Sequence, residues 1–164
     1  MCVLRKLFFV TLLAGLSLAQ ETHTHPAPEQ LGSVSFPTSC APAVQAQFNR
    51  GMALLHSFTY GEARDAFQSV ATSDPKCAIA HWGIALSYFR QLWDPPLLPA
   101  TMTTAQEEIH RAQQIGAHTD RETAFIRALA FIYDDAATVA YRARAAKYES
   151  AMGEIAAKNP KDVE

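Results

Sequence analysis

The chain has 164 residues, 14 of them basic and 16 acidic, for a formal net charge of −2, and 49% of its residues are hydrophobic. This near-balance, without a basic block, disfavours a nucleic-acid partner, whose phosphates would be met by clustered Lys and Arg. With only seven glycines and no His-Glu-x-x-His, Gly-x-Ser-x-Gly or Cys-x-x-Cys, the sequence offers no phosphate-cradling loop, zinc-protease helix, serine elbow or redox motif.

In chain order, the first segment reads as a signal peptide over residues 1–19. Arg5 and Lys6 precede an apolar run from Leu7 to Leu18, and Ser17-Leu18-Ala19 supplies small residues for cleavage before Gln20. The run falls short of the roughly 20 residues that span a bilayer, although an uncleaved anchor is the alternative. Export to a periplasmic or extracellular compartment is therefore expected, with no membrane attachment after cleavage. Removal of these residues leaves 145, enough for one domain, with a net charge of −4. Residues 20–38 contain three prolines and no helical period, and read as a flexible linker.

From Ser39 onward the periodicity is helical. Helices are expected over about 40–57, 60–73, 77–91, 103–115, 120–134 and 138–158. The first carries Val44, Phe48, Met52 and Leu55 on one stripe, and the second opposes it with Ala63, Phe67 and Val70. Thr59-x-x-Glu62, Thr104-x-x-Glu107 and Thr119-x-x-Glu122 each match a capping box. Pro75, Gly116 and Pro160 mark helix ends. Cys40 and Cys77 flank the first helical hairpin at the same end. In an oxidising compartment they are placed to form a disulfide, with two buried thiols as the alternative.

The helices also repeat. Gly51 and Leu54 recur thirty-four residues later as Ala85 and Tyr88, and Ala63, Phe67 and Pro75 complete the first unit. Phe67, Ile109 and Met152 occupy matching places 42 and 43 residues apart, with the extra length in loops such as Arg90 to Met102. The third unit keeps Ala128, Phe131, Met152 and Pro160. This pattern resembles the tetratricopeptide repeat (TPR) family, in its exported bacterial form, over residues 40–162. It departs from the family at Gln47, His81, Ala117 and Tyr148, and its longer spacing also suits a HEAT-like repeat. The resemblance implies an all-α fold: antiparallel helical hairpins stacked as a TPR-like α-solenoid over residues 39–164, three hairpins long and truncated.

In that family the first helix of each hairpin lines a concave, peptide-binding groove. The matching positions here are Phe48, Met52 and His56, then Trp82, Leu86, Phe89 and Arg90, then Phe125 and Tyr133. The same stripe could instead be core, covered by the linker or by further repeats. Glu107-x-x-His110 reads as a solvated helix face, and His23-x-His25 as linker. His56 and His81 could together make a small polar site.

The expected function is that of an exported binding or scaffold module for a protein or peptide partner, with no chemistry of its own. No catalytic residue, cofactor or metal is expected, and self-association is possible. The alternative is the N-terminal structural part of a longer envelope protein whose enzymatic or metal-dependent activity lies elsewhere.

Overall fold

The computed structural model describes residues 31–89 and 98–162. The signal segment, most of the 20–38 linker and Arg90 lie outside them. Among the described residues there are six α-helices and no strand, so the fold is all-α. No described helix is long and apolar enough to cross a membrane.

The helices are α1 (Gln45–His56), α2 (Tyr60–Ser73), α3 (Ala78–Leu86), α4 (Pro99–Ile115), α5 (Asp120–Tyr133) and α6 (Tyr141–Lys158). They pair in order as α1 with α2, α3 with α4 and α5 with α6. Each later pair rests on the one before it, α3 against α2 and α1, and α5 against α4 and α3. The short 57–59 connection between the packed helices α1 and α2 obliges them to run antiparallel.

Each helix end has a local cause. At the end of α1, Phe58 adopts a positive φ of 61°, so that the Thr59 and Phe58 N–H groups donate to Leu54 O and Leu55 O. This is a Schellman closure built on a phenylalanine where glycine is usual. Gly116 ends α4 at φ 77°. Pro99 opens α4 at its first turn, four residues before the expected start, because a proline there sacrifices no helical hydrogen bond. Thr104 therefore lies inside α4, and its hydroxyl donates to Ala100 O rather than capping.

Of the three capping boxes, only the one at Thr119 places its threonine oxygen on the backbone N–H three residues ahead, that of Glu122. Thr59 stands at the start of α2 but turns its hydroxyl back to Leu54 O. The first helix begins with a 3-10 turn over Pro42–Val44, and the sixth begins at Tyr141 rather than 138. The third ends at Leu86, short of the expected 91.

The core is continuous through the three pairs. Phe67, fully buried on α2, fills the seam between α1 and α3. A Cβ placed on Gly51 or on Gly83 would come within 2.6 Å of its ring. Two helices thus approach one aromatic ring through the absence of side chains. Tyr133 bridges the second and third pairs, donating its hydroxyl to Ala85 O at 2.7 Å. Burial, with lesser contributions from Tyr148, Tyr141 and Tyr88, pushes its phenol well above the ordinary range and keeps it a donor.

Candidate functional site

The aromatic stripe expected to line a groove is assembled by the fold but is not open. Phe48 on α1, Trp82 on α3 and Phe125 on α5 converge, and the ring of Phe36 sits among them with centroid distances of 5.3, 5.7 and 5.5 Å. Phe36 is 1% exposed. The Arg121 guanidinium carbon lies 4.0 Å from the centre of the Phe36 ring and 4.9 Å from that of Phe125, a cation–π arrangement. Met52, Leu86, Phe89 and Tyr133 are buried as well. His56, at the end of α1, is exposed.

The segment through Phe36 is held by side chains as much as by its ring. Its N–H donates to Asn49 Oδ1 at 3.2 Å and its carbonyl accepts from Gln45 Nε2 at 2.8 Å. Gln45 Oε1 accepts from both the backbone N–H and the hydroxyl of Thr38, each at 2.9 Å. Glu122, 1% exposed, accepts the Ser39 N–H at 2.7 Å and the Ser39 hydroxyl. Arg121 donates to Asp162 Oδ2 through Nε, tying the last described turn to the same face.

Residues 31–38, read from the sequence as part of a flexible linker, therefore form a strap across the stripe. The physical reason is that burying the three rings and Phe36 itself, together with the hydrogen bonds to Asn49, Gln45 and Glu122, offsets the entropy of ordering a short segment. Sequence reasoning did not single out Phe36, Arg121 or Glu122 as site residues. Phe36 carries no periodic signal, and Glu122 read as a capping residue.

Cys40 and Cys77 are joined in a disulfide across 37 residues, with Cα atoms 4.9 Å apart. Asp74 lies beside them, but its carboxylate receives the N–H groups of Ala41 and Lys76, and sulfur bonded to sulfur is no thiolate ligand. Of the two histidines considered for a polar site, His56 is exposed at the end of α1 and His81 is half-buried on α3. Its Nδ1 shares a 2.6 Å hydrogen bond with Glu108 Oε2, and Glu108 in turn accepts from Arg111 at 3.0 Å. His110 meets Asp134 at 3.2 Å on an exposed face.

An open concavity lies elsewhere among the described residues, between α5 and α6, with a volume of about 720 Å³. Ala124, Ala128, Ala151 and Ile155 lie along it, and Phe131, 39% exposed, stands in it. Arg121, Arg127, Lys147 and Lys158 supply four cationic groups against Asp120 and Glu154. Arg121 is committed to Asp162, while Arg127, Lys147 and Lys158 are exposed and make no ion pair among the described residues. Neither a family model, nor a curated protein, nor a solved structure matches this chain.

Proposed function

We propose that this chain is an exported, TPR-like helical-repeat module that binds a protein partner and has no catalytic chemistry of its own. The observation that carries this reading is the α5–α6 groove, an open concavity with an exposed aromatic ring on the third helical pair. Within the stack, each helical pair rests on the pair before it, and the third pair has no successor among the described residues.

The concave stripe of Phe48, Met52, Trp82, Leu86, Phe89, Phe125 and Tyr133 serves here as core closed by the strap. The working surface is thus the α5–α6 groove rather than the concave stripe. The disulfide suits the oxidising compartment to which a leader of this type directs a chain.

The test is site-specific photo-crosslinking in the intact chain. A crosslinker in place of Phe131 should capture a discrete protein, and one in place of Phe58, exposed on the α1–α2 corner, should not. Identical adducts from both positions would mean that the α5–α6 surface has no binding role.

A further inference from the structure

We propose that the α5–α6 groove docks one amphipathic helix of a partner chain, apolar along one stripe and acidic along its flanks. This rests on the binding-module reading above and names the chemistry of the partner.

The form of the occupant follows from the fold's own precedent. The α1–α2 pair receives α3, and the α3–α4 pair receives α5. Each groove between paired helices is thus covered by a following helix, as ridges-into-grooves packing favours. At the corresponding place on α5–α6 the groove is open among the described residues. At equivalent repeat positions Leu54 in the first unit is 1% exposed, Tyr88 in the second is half-buried and Phe131 in the third is 39% exposed. The alanines at 124, 128 and 151 give little side-chain bulk along the groove. A helix can therefore approach to roughly the 8–10 Å interaxial distance of packed helices.

The charge of the occupant follows from the rim. Arg127, Lys147 and Lys158 border the groove without ion-pair partners among the described residues, in a chain whose formal net charge is −2. Acidic side chains flanking an apolar stripe would meet these cations at the edge, where charge sets partner choice and association rate. A second copy docking by the same face would bring the same cations against one another, which argues against self-pairing. A nucleic acid is disfavoured by Asp120 and Glu154 in the same lining and by the apolar floor.

The experiment uses the full chain with its disulfide intact and two labelled, helix-stabilised peptides of about 18 residues, long enough to run beside α6 at 1.5 Å per residue. Both carry a Leu/Ala stripe at three- and four-residue spacing, one flanked by Glu and its twin by Lys. Fluorescence anisotropy should show the acidic peptide binding at least about tenfold tighter, with the advantage shrinking as salt rises. Amide shift changes should fall within residues 120–131 and 147–159.

Arg127→Glu combined with Lys147→Glu, at exposed positions, should invert the preference. Phe131→Ala should weaken the acidic peptide by about tenfold, as loss of a central aromatic contact does. Equal binding of the twins, or a preference for the basic one, overturns the acidic partner while leaving the binding-module reading in place. So does self-association through this face that Phe131→Ala abolishes. If neither peptide perturbs the groove and Phe131 captures no protein, both ideas fall.

Discussion

Phe36 shows what a single residue contributes to this fold. It is flanked by Ser35 and Pro37 in a stretch with no periodicity, and nothing local in the sequence marks it as buried. Its partners were legible, because Phe48, Trp82 and Phe125 each lie on the apolar stripe of a periodic helix. A stripe covered by the linker was one of the two readings the sequence left open; what could not be read was that the rings would leave a ring-sized gap and which residue would fill it. The gap is a property of the assembled stack, and the residue that fills it comes from outside the helices. Phe36→Ala should therefore behave as a core truncation and cost about 3–5 kcal/mol. Its cost should exceed that of any change at His56, which is exposed. Urea denaturation gives the comparison, and a midpoint unchanged from the parent chain would show that the strap does not contribute to the core.

At the scale of the helix, the same limits recur in the placement of glycine. The repeat spacing pairs Gly51 with Ala85, and in the sequence this looks like one small-residue position recurring. In the structure it is Gly83, two residues earlier, that shares the Phe67 ring with Gly51. Gly51 and Ala85 are matching places in successive units and need not meet one ring; that Gly83 would meet the ring of the first unit was hidden because α3 is short, ending at Leu86, and apolar on nearly every face, so its sequence gives little rotational information. The helix bounds of α2 and α5 were legible to within a residue, since strong caps or breakers frame them. The start of α4 was not, because a capping pattern at Thr104 competed with Pro99.

A pair of substitutions separates intrinsic helix propensity from packing. Alanine is favoured over glycine within a helix by about 1 kcal/mol. At Gly83 that gain is opposed by a Cβ 2.6 Å from a fully buried ring, so Gly83→Ala should be net destabilising, by about 1–3 kcal/mol as for other overpacked cores. At Gly153 on α6 nothing lies within 4 Å, and Gly153→Ala should raise the thermal midpoint. Midpoints moving in the same direction for both variants would contradict the close seam at Phe67.

Across the whole molecule, cohesion is uneven along the stack. The helix α2 packs on both α1 and α3 and buries Ala63, Ala66, Phe67 and Val70. The last helix, α6, rests mainly on α5 and buries only Arg144 and Ile155. In a truncated array, as the repeat pattern implies, Met152 and Ile155 on the sixth helix are expected to form an exposed apolar face that a further unit would cover. In the structure Ile155 is buried and Met152 half-buried, and the exposed ring belongs instead to Phe131 on α5. The exposed face was therefore anticipated on the right hairpin but assigned to the wrong helix. The reason is that helix rotation depends on which neighbour wins a stripe, and α6 has a weak stripe of its own.

Local opening free energies track buried apolar contacts. Amides of 141–158 should accordingly exchange faster than those of 60–73 in a monomeric sample. Binding of the acidic helical peptide should slow exchange across 141–158 more than across 60–73, because it would supply the neighbour that α2 already has in α3. Equal protection of the two helices in the free monomer would mean that α6 needs no second neighbour. The groove would then be a permanent surface of a finished array rather than a place prepared for a partner.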